Sequence, residues 1–205
     1  MRVLEARGKI YDYFHKSPEI IKNHNKFAAY YTAMYLIQDT GEALTYHRGQ
    51  GFSQNPFQAY IEFWGVMQAV YIQQDAILEL YRAVTGQKLN IACDSKWMKI
   101  RCMRNILAGH PSNQGETDRI KRTFLGRNFG DYQSIEFETW DEQMEQNFGA
   151  STSIDVGNEE VSQLLSHVHH GKLKLGDLID AYDDEAAKHL ESILSHLCNH
   201  WPMDK

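Results

Sequence analysis

The chain has 205 residues, of which 42% are hydrophobic, and it carries a formal net charge of -6 at neutral pH. This length and apolar content suffice to bury a core, and no Pro/Gly-rich or low-complexity stretch divides the chain, so we expect one domain over residues 1–205. The acidic balance argues against a general nucleic-acid binder.

Three features bear on the compartment. The N-terminal stretch MRVLEARGKIYDY is charged and lacks the apolar region of a signal peptide. The longest apolar run, residues 27–37, contains three tyrosines and a threonine, so it is unlike a membrane span. Three widely separated cysteines, Cys93, Cys102 and Cys198, are typical of reduced thiols. We therefore expect a cytoplasmic protein without a membrane segment.

The first two predicted elements are helices. Residues 2–16 are amphipathic with helical spacing and predict a short helix. Ser17 followed by Pro18 provides a cap and a first-turn proline for a second helix. That helix is expected to run to about His47, and Gly41 is a possible break within it.

The third predicted helix has the clearest pattern. Asn55 followed by Pro56 gives it a start, and Gly86 gives it an end. Its apolar residues recur at helical spacing: Tyr60, Phe63, Trp64, Met67, Val70, Tyr71, Ile77, Leu78 and Tyr81. We expect these side chains to form a packed core or a dimer face rather than a base-stacking platform. Asp75 is polar in this apolar helix, and it either contacts the next helix and orients Arg104 or is exposed.

A short basic helix is predicted next, and it is central to the functional argument. Asp94 or Ser95 can cap it, and Gly109 followed by Pro111 ends it. One stripe of the helix is apolar and is expected to be buried: Ile100, Met103, Ile106 and Leu107. The polar residues fall largely outside that stripe: Lys96, Lys99, Arg101, Arg104 and Asn105.

The C-terminal half predicts a hairpin and two more helices. Residues 119–127 and 132–140 predict a β-hairpin, because apolar and acidic residues alternate in the second segment. No third strand is evident, so we expect the hairpin to pack on the helices. Residues 155–169 predict a helix that Gly171 ends, and the last helix begins at Asp177.

Charge is distributed unevenly along the chain. Residues 1–94 carry nine basic and nine acidic side chains, residues 95–130 carry eight and two, and residues 131–205 carry four and sixteen. The basic block around the central helix can attract phosphates even though the whole protein is acidic. The alternative is a solvated basic face that pairs with the acidic C-terminal third. The candidate RNA-binding residues are Lys99, Arg101, Arg119, Lys121 and Arg122.

The end of the central helix carries the candidate catalytic residues, Arg104, Asn105 and His110. An imidazole can take the proton from a 2′-hydroxyl of RNA, and a guanidinium can stabilise the charge that builds up on the phosphate. This chemistry needs no metal ion. The alternative is that Arg104 pairs with an acidic side chain and that the helix dipole favours His110 at this position.

This stretch resembles the HEPN family (higher eukaryotes and prokaryotes nucleotide-binding), which comprises small all-α domains marked by an Arg, a polar residue and a His a few positions later. RNILAGH at residues 104–110 fits that pattern. The resemblance covers about residues 18–112 and implies an all-α, HEPN-like helical bundle. The hairpin, at about residues 119–140, is then an insertion, and the helices at about residues 155–200 are C-terminal additions.

The resemblance also implies a function. Members that keep the motif are mostly metal-independent endoribonucleases that work as homodimers without a cofactor and leave 2′,3′-cyclic phosphate and 5′-hydroxyl ends. Some are toxins or defence proteins paired with a nucleotidyltransferase-type antitoxin, and some of those have a Tyr where this chain has Ser112. The alternative is a non-catalytic HEPN-fold module that binds RNA, a nucleotide or a protein. A purely structural helical dimer is a third interpretation.

Ten histidines raise the question of a metal site. His196 and His200 are one helical turn apart, and His189 lies on the same predicted face. No Cys or carboxylate spacing nearby completes a known zinc ligand set. We therefore expect no metal site.

Overall fold

The computed structural model describes residues 1–16, 23–109, 123–125, 132, 135–140 and 168–200. Most of these residues are helical, as the sequence predicts, and an antiparallel sheet accompanies the helices. Within the described ranges, no helix combines the length and the apolar character needed to cross a membrane.

The described residues form five α-helices, one π-helical turn and three strands. In chain order these are α1 Arg2–Lys16, α2 His24–Gln50, α3 Pro56–Thr85, α4 Lys96–Arg104, the π-helical turn Asn105–Gly109, β1 Thr123–Leu125, β2 Ile135–Trp140, β3 Val168–Leu173 and α5 Leu175–His200. The chain divides into two units: a helical unit of Met1–Gln50, Val66–Arg101 and Leu178–Lys205, and a mixed unit of Gly51–Gly65 and Cys102–Asp177.

Both ends of α3 follow the predicted signals. The side-chain oxygen of Asn55 accepts hydrogen bonds from the backbone N–H groups of Phe57 at 3.0 Å and Gln58 at 3.3 Å. These bonds satisfy donors that have no partner within the helix. Gly86 adopts a φ of +73°, the left-handed conformation that commonly ends helices. The predicted third helix is therefore confirmed at both ends.

The helix α1 has the predicted bounds, whereas α2 differs from the prediction at its start and contains Gly41. The predicted cap and first-turn proline at residues 17–18 lie outside the described residues, but the predicted start of α2 there is wrong, because α2 begins at His24. The side-chain oxygen of Asn23 caps it by accepting hydrogen bonds from the backbone N–H groups of Asn25 at 3.0 Å and Lys26 at 3.1 Å. Gly41, the possible break, lies inside α2 and is buried. A Cβ atom at Gly41 would lie 2.6 Å from Cδ2 of Leu4, so the absence of a side chain allows α1 to pack closely against α2.

A chain of buried hydrogen bonds links α2, α3 and α5 inside the helical unit. The hydroxyl of Tyr182 donates to Oε1 of Gln73 at 3.0 Å, and Nε2 of Gln73 donates to Oγ1 of Thr40 at 3.2 Å. Thr40 in turn donates to the carbonyl oxygen of Leu36 at 2.6 Å. Burial raises the pKa of the Tyr182 hydroxyl well above its usual value, so this group remains a hydrogen-bond donor.

The mixed unit contains a three-stranded sheet in the order β1-β2-β3. The strands β1 and β2 are antiparallel, with Leu125 opposite Phe137, which confirms the predicted hairpin. The expectation that no third strand exists is wrong, because β3 pairs antiparallel with β2 and places Leu173 opposite Ile135.

This third strand corrects the predicted end of the helix over residues 155–169. Residues 168 and 169 belong to β3, and residues 155–167 lie outside the described part of the chain. Without β3, the backbone donors and acceptors along one edge of β2 would have no strand partner, and β3 provides that partner. The last helix begins at Leu175, two residues before the predicted start.

Candidate functional site

The first turn of α4 is capped by two different parts of the chain. Oγ of Ser95 accepts a hydrogen bond from the backbone N–H of Met98 at 3.1 Å. Of the two predicted caps, Asp94 and Ser95, it is therefore Ser95 that caps the helix. Oε2 of Glu185, a residue of α5, accepts from the N–H groups of Lys96 at 2.8 Å and Trp97 at 3.1 Å. The carboxylate also lies at the positive end of the helix dipole. Sequence reasoning missed Glu185, because no local signal connects it with α4.

The predicted buried stripe of this helix is confirmed at three of its four positions. Ile100, Met103 and Leu107 are at most 2% exposed, and Ile106 is half-buried. The polar residues lie outside the stripe: Lys96, Lys99 and Asn105 are exposed, and Arg101 and Arg104 are half-buried. The stripe anchors the helix and leaves its cations accessible to solvent.

Two of the three candidate catalytic residues lie in contact at the end of α4. Nη1 of Arg104 donates a hydrogen bond to Oδ1 of Asn105 at 3.2 Å. At Asn105 the α-helix becomes a π-helical turn, a wider turn that recurs at functional sites in proteins. The strand β1 lies against this turn within the mixed unit. His110, the third candidate, follows the turn and lies outside the described residues.

The predicted RNA-binding residues differ in what the structure shows of them. Lys99 is exposed. Arg101 donates from Nη1 to Oδ1 of Asp75 at 2.9 Å, and its guanidinium lies 4.3 Å from the ring centre of Tyr71. Asp75 therefore contacts the central helix through Arg101 rather than through Arg104. The remaining candidates, Arg119, Lys121 and Arg122, lie outside the described residues.

Three histidines of α5 contact neighbouring protein groups. The rings of His196 and His200 stack with centres 4.0 Å apart, and Nδ1 of His200 donates to the backbone oxygen of His196 at 2.9 Å. Nε2 of His189 lies 3.9 Å from Oε1 of Glu185, and its ring packs edge-on against Trp97. In the described part of the chain, no group of three or more His, Cys, Asp or Glu side chains is arranged to hold a metal ion.

The chain was compared with protein-family models, with curated proteins and with solved structures. None of the three comparisons found a match. A function can therefore be inferred only from the side chains at the end of α4 and from the resemblance of residues 104–110 to the HEPN motif.

Proposed function

We propose that this chain is a metal-independent endoribonuclease of the HEPN type. The observation that carries the proposal is the hydrogen bond from Arg104 to Asn105, which holds the guanidinium at a helix end, six residues before His110 in the sequence. The buried stripe of α4 supports it further, because a rigid helix is a suitable support for a group that must meet a transition state. The basic block at residues 95–130 favours an anionic substrate.

In the proposed reaction the substrate supplies its own nucleophile. His110 takes the proton from a 2′-hydroxyl, the 2′-oxygen attacks the adjacent phosphorus, and the bond from phosphorus to the 5′-oxygen breaks. The 5′-oxygen takes a proton from an imidazolium and leaves as a hydroxyl, and the other product ends in a 2′,3′-cyclic phosphate. Arg104 stabilises the charge on the two non-bridging oxygens, for which its planar fork is suited. Asn105 holds Arg104 and orients the phosphate.

The test is to incubate the purified protein with mixed RNA in the presence of EDTA and to analyse the product ends. We expect cleavage that EDTA does not inhibit, with 2′,3′-cyclic phosphate and 5′-hydroxyl products. Arg104→Ala and His110→Ala should each slow cleavage about a hundredfold or more, because losing a transition-state contact costs on the order of 3 kcal/mol. Arg104→Lys should also be poor, and Asn105→Ala intermediate.

The variants have a simple control. Neither Arg104 nor Asn105 is part of the buried stripe, so their alanine variants should keep the circular dichroism spectrum of the wild type. Arg82→Ala removes an exposed arginine from α3 and should retain full activity. An active His110→Ala variant, or activity lost with EDTA, contradicts the mechanism. RNA that binds and remains intact instead supports the non-catalytic binding module.

A further inference from the structure

The helical unit has an open groove between α2 and α3 with a volume of about 690 Å³. Ala33 and Ala76 are its most deeply buried lining residues, and Leu36 and Ile72 line it closer to solvent. Small side chains at the bottom of a groove allow a ligand to approach the backbone closely. The volume lies in the range of about 300–1,000 Å³ that is typical of ligand sites.

The dimensions of the groove indicate the shape of its occupant. On α2 the lining runs from Ala28 to Leu36, about 12 Å along the axis, and on α3 it runs from Gln68 to Glu79, about 16 Å. A whole helix about 10 Å wide and about 16 Å long fills roughly 1,250 Å³, which is more than the groove offers. The side chains along one face of such a helix do fit.

The charged residues that line the groove are both acidic. Asp75 and Glu79 are one turn apart on α3, and Asp75 is hydrogen-bonded to Arg101. Glu79 is exposed and has no hydrogen-bond or ion-pair partner among the described residues. A free carboxylate beside an apolar groove attracts a cationic side chain and repels phosphate.

An exposed aromatic row adjoins the groove on α2. Phe27, Tyr31 and Tyr35 are 40%, 51% and 49% exposed, and the hydroxyl of Tyr31 donates to that of Tyr35 at 3.1 Å. Each of the three aromatic residues lies one position before a groove-lining residue of α2, at positions 28, 32 and 36. The aromatic row therefore lies on the neighbouring face of the helix. Exposed aromatic surface next to an apolar groove is typical of a protein interaction site.

We propose that this groove binds an amphipathic helix of a partner protein. Apolar side chains at positions i, i+4 and i+7 of the partner occupy the groove, and a Lys or Arg contacts Glu79. A second copy of the same face is a poorer occupant, because a two-fold axis brings the same carboxylates of both copies to one interface. The proposal is independent of the ribonuclease activity.

The probe is a fluorescent synthetic peptide of Leu and Lys arranged as an amphipathic helix, and binding is measured by fluorescence anisotropy. We expect saturable binding to the full chain. Thr32→Trp fills the groove from an exposed position and should weaken binding about tenfold or more. The matched control Ala43→Trp adds the same side chain at an exposed position of α2 outside the groove, and it should bind like the wild type.

A second pair of variants tests the charge. Glu79→Lys should weaken binding, whereas Glu42→Lys, which makes the same change on α2 outside the groove, should not. Should Thr32→Trp fail to fold, as judged by circular dichroism, Glu79→Lys decides the outcome. The proposal is overturned by a lack of saturable binding, or by equal binding of a peptide with Glu in place of Lys. A dimer in sedimentation that Thr32→Trp dissociates also overturns it, in favour of a second copy.

Discussion

His189 is a half-buried histidine whose protonation is linked to the stability of the helical unit. Burial lowers the pKa of its imidazole, and the nearby carboxylate of Glu185 opposes this shift. The ring packs edge-on against Trp97 with centres 5.5 Å apart, and its Nε2 is buried without a hydrogen-bond partner in the described structure. The fold therefore favours the uncharged imidazole.

The first prediction follows from this shift. The pKa of His189 in the unfolded chain is about 6.5, so below that pH the unfolded state takes up the proton first and the free energy of unfolding decreases. Above that pH, His189 should not affect the pH dependence. Urea denaturation at about pH 7.5 and about pH 5 should show a smaller loss of stability for His189→Gln than for the wild type. His24→Gln, at an exposed position, is the control, and equal losses in wild type and His189→Gln contradict the prediction.

At the scale of an element, the first turn of α4 depends on a residue far away in sequence. Glu185 accepts two backbone hydrogen bonds there, from Lys96 and Trp97. A capping oxygen contributes about 1 kcal/mol, and a carboxylate at the positive end of the helix dipole adds about 0.3–1 kcal/mol.

The second prediction is therefore that Glu185→Ala lowers the free energy of unfolding by about 1–2 kcal/mol in urea at neutral pH. Glu185→Gln should cost less, because its amide oxygen can still accept the hydrogen bonds. Glu191→Ala removes an exposed carboxylate of the same helix and should have little effect. A Glu185→Ala variant as stable as Glu191→Ala would show that the cap does not stabilise α4.

Local signals predicted the elements whose ends depend on neighbouring residues. Asn55 begins α3 and Gly86 ends it, and both act on residues within one or two turns, so the local sequence is sufficient to predict the two ends of this helix. The adjacent pair Arg104 and Asn105 was predicted for the same reason: both belong to one helix end outside its apolar stripe. The π-helical turn was not predicted, because the apolar spacing of residues 100–107 also fits a continuous α-helix.

The features that the sequence did not predict depend on distant partners. The strand β3 is VHHGKL, which has no clear alternation, and it becomes a strand by pairing with β2. The sequence indicates Gly41 as a possible break in α2, but Gly41 lies inside the helix, where Leu4 packs against it. The contacts of Arg101 with Asp75 and Tyr71 were likewise not predicted, because both partners lie on α3, far from Arg101 in sequence.

At the scale of the whole molecule, the sequence predicts a homodimer, and the first turns of α3 offer a surface for it. Phe57, Ile61 and Trp64 are 68%, 69% and 42% exposed, at helical spacings of four and three residues. The aromatic residues of α3 are thus divided between buried positions such as Phe63 and an exposed apolar face. An apolar face of this kind commonly mediates association.

The third prediction is that the chain self-associates at micromolar concentration and that Ile61→Glu shifts it towards the monomer. A charge in the centre of an apolar interface loses solvation without gaining a partner. Light scattering measures the change, and Gln54→Glu, at an exposed position in the loop before α3, is the control. A wild-type protein that is strictly monomeric at micromolar concentration would contradict the predicted homodimer.

The buried hydrogen bonds among Thr40, Gln73 and Tyr182 have a consequence for how this protein evolves. Replacing one member leaves a buried polar atom unsatisfied, at a cost of about 1–3 kcal/mol, a large part of the roughly 5–15 kcal/mol that stabilises a typical domain. Replacing all three with apolar residues of similar shape removes the polar atoms together and is nearly neutral. Divergent relatives should therefore keep the whole trio or lose it as a set. Correlated substitution at these three positions would identify distant relatives whose surface residues no longer resemble this chain.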